Sequence, residues 1–384
     1  MHIAPPFADR TLASVSSTTS TDPVWGVRPR RYPGALPERT DVLIVGGGIT
    51  GVALLHWLRG RAYVVLVERD RLAAGASGRN AGFLLAGVAA CHAVAARRYG
   101  RERAAALRAF TVENHAQLAE ALAGRARMYR QRGSYIQAGS PGEAFDLEES
   151  EALLREDGFD ARWDGVRLWN PGDGELDPLE AVHVLASDAP AGAIREGVDV
   201  HELHATAAGV HVLAGGSECL AGAVILATNA YTAQLVPEVP ISPVRAQMAA
   251  TAPEARIVAE RPTYADRGYQ YWRQLSDGRV LVGGYRDRAV EDEVGSKAVP
   301  THRLQSYLDQ HLHDLGVEAA VTHRWAGIMG FTEDEMPIVG RERSSPNVWI
   351  CGGYTGHGLA FAFHSAKRLA EALTGSRPTT GLLP

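Results

Sequence analysis

The sequence predicts an α/β fold: a parallel-sheet domain assembled from separated stretches of chain, joined to an α+β domain built on an antiparallel sheet. Three observations predict it. DVLIVGGGITGVALLHWLRGRAYVVLVERD, 41–70, sets an apolar β-branched run, a glycine turn, a helical stretch and a second apolar run in succession, the order of a βαβ unit. NVWICGGYTGHGLAFAFHSAKRLAEALTG, 347–375, gives one more strand, a glycine-rich loop and a helix. Between them YQYWRQLSDGRVLVGGY, 269–285, alternates around Asp277-Gly278 as an antiparallel hairpin does.

The elements follow in order. Residues 1–40 read as a tail and an extended lead-in. MHIAPPFADRTLASVSSTTS lacks the basic start and continuous apolar block of a secretory signal, and the Ser/Thr run from Ser14 to Thr21 reads as a mobile tail. Asp41 to Val45 and Tyr63 to Val67 predict buried parallel strands, with Gly51 to Leu58 helical between them. Residues 99–124 predict one long amphipathic helix closed by Gly124. RMYRQRGSYIQAGS, 127–140, alternates about an Arg-Gly turn and predicts a hairpin. Residues 178–197 predict a helix, 198–203, 210–216 and 221–228 three strands, and 301–315 a further helix.

Composition removes several classes of function. The 39 basic against 44 acidic residues give a mildly acidic balance, with no footprint for nucleic acid or an anionic membrane. No apolar run reaches the ~18 residues of a membrane span. Cys91, Cys219 and Cys351 form no CxxC pair, which argues against a disulfide framework or zinc site and fits a cytoplasmic protein. His201, His204, His211, His311 and His313 lack the carboxylate spacing of a metal site, so no metal is expected.

Gly46-Gly47-Gly48-Ile49-Thr50-Gly51 satisfies GxGxxG between a strand and a helix. The first glycine permits the tight turn, Gly48 lets a pyrophosphate approach the backbone, and Gly51 lets helix and strand pack closely. The helix N-terminus then offers free N–H groups and a positive dipole end. Glu68 stands twenty residues after Gly48, the spacing of a carboxylate that binds ribose hydroxyls. A Rossmann-type domain for NAD or FAD follows. GASGRNAG, 75–82, bears on that choice: NAD domains need nothing special after the second strand, whereas a glycine-rich run suits a bulky ring system against the backbone. The competing reading is a surface loop.

GGGITG and VERDRLAAGASGRNAG together resemble the FAD-dependent D-amino-acid oxidase superfamily, in its sarcosine, glycine and γ-glutamylputrescine oxidase-like branch. ILATNAYT, 225–232, WAGIMGFTEDEMPIVG, 325–340, and CGGYTGHGLAFAF, 351–363, carry the same likeness. The resemblance implies a discontinuous Rossmann-type FAD-binding domain over 41–87, 176–239 and 329–384. It implies a substrate domain over 88–175 and 240–328. Around the nucleotide it implies Gly46, Gly48, Ile49, Thr50, Gly51, Glu68 and Arg69, with Val200, Ala227 and Thr228. Along the flavin it implies Ser77, Gly78, Arg79, Asn80, Ala81 and Gly82. Gly353, Gly356, His357, Gly358 and Leu359 should place a helix N-terminus near the flavin's pyrimidine edge, where it stabilises negative charge. Some relatives attach the flavin through a histidine in the first loop or a cysteine before the last one. Here Arg79 and Asn80 fill the first place and no cysteine lies near Met329, so noncovalent FAD is expected.

For the reaction, the resemblance implies hydride transfer from an amine to the flavin, hydrolysis of the imine by water, and reoxidation by oxygen to hydrogen peroxide. No protein acid or base is required. The protein's task is orientation. Here the sequence departs from its relatives. Met329 stands where glycine and D-amino-acid oxidases carry an arginine, Ala360 where sarcosine oxidases carry a lysine, and RVLVGG, 279–284, lacks their second lysine. A buried carboxylate without a partner costs several kcal/mol, so an α-amino acid needs a relocated cation. Arg273 is one candidate, with a strand-surface arginine as the alternative. Tyr269, Tyr271 and Trp325, with Trp272, are candidates for an apolar or cation–π wall, against plain core packing. His357 either faces the ring or caps the helix. The expected function is oxidation of a primary or secondary amine, a polyamine derivative or an amino-acid-like compound. The rivals are an amino-acid oxidase or dehydrogenase with a relocated cation, a flavin-binding protein without turnover, and an NAD protein.

Overall fold

The computed structural model describes residues 19–126, 129–345 and 347–384. The expected tail over 1–18 lies outside the described residues.

The first sheet grows from alternation inside each strand. In Arg39–Val45, Val42 and Ile44 face one side, and Leu43 and Val45 face the other. All four are buried, so the strand needs cover on both faces. Parallel neighbours Val64–Glu68 and Ser217–Leu226 flank it, with Ile194–Glu196 beyond the former and Val348–Gly352 beyond the latter. Ile338–Arg341 closes one edge antiparallel. Helices Ile49–Leu58, Arg101–Leu122, Pro178–Ala186 and Gly358–Leu373 bury the face that carries Ile44 and Leu66. The antiparallel strands Val200–Thr206 and Gly209–Ala214 cover Leu43 and Val65. Each fully buried aliphatic side chain contributes about 1.5–3 kcal/mol.

The second sheet runs Val321–Phe331, Ser242–Pro253, Arg279–Gly284, Gln270–Gln274, Thr263–Ala265, Ser134–Gln137, Arg167–Asn170 and Arg162–Trp163. All pairs are antiparallel except Thr263–Ala265 with Ser134–Gln137. Helix His302–Asp314 packs Leu308 and Leu312 against Trp272, Val280 and Val282 on one face. The other face carries Tyr271, Met248, Leu281 and Trp325. The α/β class and the 269–285 hairpin are as the sequence predicts.

Several elements differ from expectation. Residues 127–140 form no hairpin: Ser134–Gln137 pairs with two distant strands and Arg130 bridges to Glu175; residues 127 and 128 lie outside the described residues. The 99–124 helix is Arg101–Leu122. A separate helix, His92–Tyr99, precedes it, and Gly100 at φ +87° breaks the two apart. The 178–197 helix stops at Ala186, and Ile194–Glu196 is instead a strand beside Val64–Glu68. Helix Pro141–Glu156 and strand Ser242–Pro253 have no counterpart in the sequence reading.

Candidate active site

The turn after the first strand requires glycine at both ends. Gly46 sits at φ +113°, and a Cβ on Gly51 would lie 1.9 Å from the Gly46 carbonyl oxygen. That closeness opens helix Ile49–Leu58 onto a cavity of about 700 Å³. Glu68, at the end of the second strand, accepts hydrogen bonds from the Gly47 N–H (2.6 Å) and the Asp70 N–H (2.9 Å). Burial pushes its carboxyl pKa up, and the two N–H bonds oppose that. Arg69 lies 4.8 Å from the centroid of the Tyr231 ring, and both line this end. The Ser77 hydroxyl accepts from the Ile49 N–H at 2.9 Å, which ties the loop after the second strand to the helix N-terminus. The Tyr354 and Thr50 hydroxyls lie 3.0 Å apart and join the last loop to the first helix.

The cavity gathers most of the predicted nucleotide and flavin residues: Gly46, Gly48, Ile49, Thr50, Glu68, Arg69, Ser77, Arg79, Asn80, Ala81, Val200, Ala227, Thr228, Gly356, His357, Gly358 and Leu359 all line it. Gly51, Gly78, Gly82 and Gly353 stand behind the lining, packed against backbone or side chains.

Of the pocket candidates, Tyr269, Tyr271, Met329 and His357 line the cavity. Trp325 does not: it is fully buried, and its indole donates to the Arg79 carbonyl at 2.9 Å. Arg273 does not either. It is 1% exposed, donates to the carbonyls of Gly82 (2.8 Å) and Leu176 (3.2 Å), and lies 3.7 Å from the Glu175 carboxylate. Burial lowers its pKa to about 10. His357 precedes helix Gly358–Leu373 without a side-chain capping bond; its Nδ1 lies 3.2 Å from the Thr355 carbonyl. Burial holds its pKa down, so the imidazole is neutral near pH 7.

Sequence reasoning missed two aromatics and a cation. Phe83 and Tyr264 stand beside the predicted Tyr271 with ring centroids 5.4–6.1 Å apart, and Tyr264 is 6.2 Å from His357. Burial raises the Tyr264 hydroxyl to about 12 and the Tyr271 hydroxyl further, so both stay protonated donors. Arg286 lines the cavity with its guanidinium 5.1 Å from the Tyr269 ring and 4.9 Å from the Phe331 ring. Among the described residues it has no hydrogen-bond or ion-pair partner beyond those two faces. Tyr285, at φ +62°, kinks the chain just before it. The only signal was its place two residues past RVLVGG. Among the described residues no three His, Cys, Asp or Glu gather as a metal site, and no helix is long and apolar enough to cross a membrane.

A parallel sheet with glycine turns at its strand ends, facing an antiparallel sheet across one elongated cavity, defines a nucleotide-binding redox fold. The chain belongs to the FAD dependent oxidoreductase (DAO) family, whose profile matches residues 41–372. It is 27% identical to the probable oxidoreductase OrdL of Rhizobium meliloti, over 92% of this chain and 90% of that protein. It is 28% identical to gamma-glutamylputrescine oxidoreductase of Escherichia coli, over 87% of this chain and 84% of that protein. The crystal structure of glycine oxidase from Geobacillus kaustophilus shares the fold, with a TM-score of 0.72 at 20% identity over 90% of this chain and 96% of that one. FAD is therefore the cofactor, and the residues present fit it. The Gly46–Gly51 turn and helix N-terminus suit the pyrophosphate, Glu68 suits a ribose, and the small-sided Gly75–Ala81 wall leaves room for a ring system.

Proposed function

We propose that this chain oxidises a primary or secondary amine that also carries a carboxylate, and that oxygen is the final electron acceptor. The free guanidinium of Arg286 carries this reading: a cation in a cavity, held by two ring faces and unpaired, is poised for an anion. The similarity to gamma-glutamylputrescine oxidoreductase supports an amine donor. A γ-glutamyl amine or an N-alkyl amino acid would supply both groups.

Bound FAD supplies the two-electron acceptor, held without a covalent bond. Arg286 holds the substrate carboxylate and fixes where the amine end falls. Tyr269, Tyr271, Tyr264 and Phe83 exclude water and present ring faces to the amine and its alkyl chain. His357 stays neutral, so it adds no positive charge against the amine. For each amine consumed, one water hydrolyses the imine to a carbonyl compound and a smaller amine or ammonia, and one oxygen becomes hydrogen peroxide.

The test is oxygen-free reduction of the bound flavin, followed at its visible absorbance, with γ-glutamyl amines, N-methyl amino acids, free polyamines and D- and L-amino acids. Carboxylate-bearing amines should bleach it, and air should restore it with one peroxide per turnover. Arg286→Met should raise the half-saturating concentration of such an amine by about 10–100-fold, the loss of a charge-assisted hydrogen bond. Equal reduction by free polyamines, or an unchanged constant in Arg286→Met, would remove the carboxylate from the reading.

A further inference from the structure

The loop at 79–82 is gripped from behind by two indoles. The Trp325 Nε1–H donates to the Arg79 carbonyl at 2.9 Å, and the Trp25 Nε1–H donates to the Asn80 carbonyl at 2.9 Å. Neither tryptophan lines the cavity, whereas Arg79, Asn80 and Ala81 all do. A trans peptide holds its C=O and the following N–H in opposite directions. Pulling the carbonyls of Arg79 and Asn80 back toward the indoles therefore turns the N–H groups of Asn80 and Ala81 toward the cavity side. Neither N–H has a hydrogen-bond partner among the described residues. The neighbouring groups are committed: the Arg79 N–H to the Ala76 carbonyl, and the Gly82 N–H to the Asn80 side chain. Two adjacent backbone donors are thus left free where a ring system would lie.

Trp325 is part of the second sheet, but Trp25 comes from the extended lead-in, ahead of the family-matched residues 41–372. The lead-in is fastened along its length. Ser20 pairs with Thr322 and Arg324, the Val24 carbonyl accepts from Arg279, Arg30 reaches the Asp70 carbonyl, and the Arg31 and Tyr32 N–H groups share the Glu196 carboxylate. It therefore straps the second sheet to the first and crosses directly behind the loop. Arg273 completes the grip: its guanidinium lies 5.1 Å from the Trp25 ring while donating to the Gly82 carbonyl.

We propose that Trp25 is a positioning residue for the cofactor loop. Its indole N–H fixes the Asn80 peptide, so that two backbone N–H groups are aimed at the acceptor atoms of the flavin ring. The proposal rests on the reading that residues 77–82 lie against the flavin. A donor aimed at the ring stabilises negative charge there, which raises the reduction potential as well as the affinity.

The test is Trp25→Phe in the full chain, which keeps a ring under Arg273 and removes the N–H. A second variant carries β-(3-benzothienyl)alanine at position 25, which keeps the indole's shape and also lacks the N–H. Three quantities are measured: the FAD dissociation constant, from flavin fluorescence on release; the flavin midpoint potential; and the apoprotein Tm. Both variants should bind FAD about 2–12-fold more weakly, the range of one net hydrogen bond, and should show a lower midpoint potential. The apoprotein Tm of the benzothienyl variant should match the parent. A benzothienyl variant with parental affinity and potential would overturn the proposal, as would a fall in Tm with the potential unmoved. Failure of the underlying reading is distinct: the parent protein itself would then hold no FAD.

Discussion

Replacing Gly283 with alanine tests which wall of the cavity the substrate touches. Gly283 stands opposite Tyr271 in the antiparallel pair. A Cβ at that position would lie 2.2 Å from Cε2, 2.5 Å from Cζ and 2.7 Å from Oη of Tyr271. Carbon atoms in contact settle at about 3.5–4.0 Å, so the ring must withdraw by roughly 1.3 Å or more. The residue does not need a left-handed backbone, so alanine fits the strand and the strain falls on the far end of one side chain. The ring is bordered by Phe83 and Tyr264 at 6.1 and 5.8 Å, and it moves into the cavity that it lines. Overpacking of this kind costs about 1–3 kcal/mol of stability, a Tm loss of a few degrees. A misplacement near 1 Å costs on the order of 100-fold in rate where it disturbs the reacting geometry. Gly283→Ala should therefore lower the limiting rate of anaerobic flavin reduction by about 10–100-fold while leaving the FAD dissociation constant unchanged. Stopped-flow reduction and flavin release are the assays. A parental reduction rate in a variant whose structure shows the Tyr271 ring displaced would refute the placement of the substrate against this wall.

Two further outcomes follow from burial. Burial raises Cys219 to about 11 and Cys351 to about 12, so both should resist iodoacetamide in the native protein at pH 8; denaturation should expose all three thiols and release free FAD, whereas flavin that stays with the chain would disprove noncovalent attachment. Buried neutral histidines should make the fold acid-sensitive. His115 is held down to about 3, and His183, His311 and His364 to about 4, against an ordinary 6.5. Their stabilising preference for the neutral form is fully present above pH 6.5 and is lost as pH falls toward those values. At pH 5 His115 alone accounts for about 2 kcal/mol, from the 1.5 units below 6.5 at 1.36 kcal/mol each. Tm should fall steeply between pH 6.5 and 4, and His115→Gln should flatten that fall; a flat profile in the parent would contradict the burial of these rings.

The parallel sheet was legible because its strands are buried on both faces and punctuated by glycine. Val42 to Val45 and Val64 to Val67 read as apolar runs, and GxGxxG with Glu68 fixed the turn between them. Ser242–Pro253 was not legible. Ala246, Ala249, Ala250 and Ala252 lack the β-branched bulk that marks a strand, and that strand is specified by its pairing with Val321–Phe331 across ten positions. Ile194–Glu196 was absorbed into a predicted helix because three residues carry no periodicity; its neighbour in the sheet lies more than 120 positions earlier.

The site shows the same limit in one dimension. Tyr271 and Arg273 are two residues apart in a strand, so alternation places both on one face of the sheet, and the sequence offered both as pocket candidates. It was silent on distance along the strand. Arg273 lies about 6.6 Å further toward the Asp277-Gly278 turn than Tyr271, and at that end the Gly82 and Leu176 carbonyls and the Trp25 ring already occupy the space. The cavity lies over the opposite end of the hairpin, where Gln270 pairs with Gly284. Arg286 reaches it from beyond that end, after a left-handed residue that no periodicity announces. The missing arginine at Met329 and the missing lysine at Ala360 therefore do not leave the cavity without positive charge. The charge arrives from a different strand end, and the arginine that looked available in the sequence holds the cofactor loop from behind.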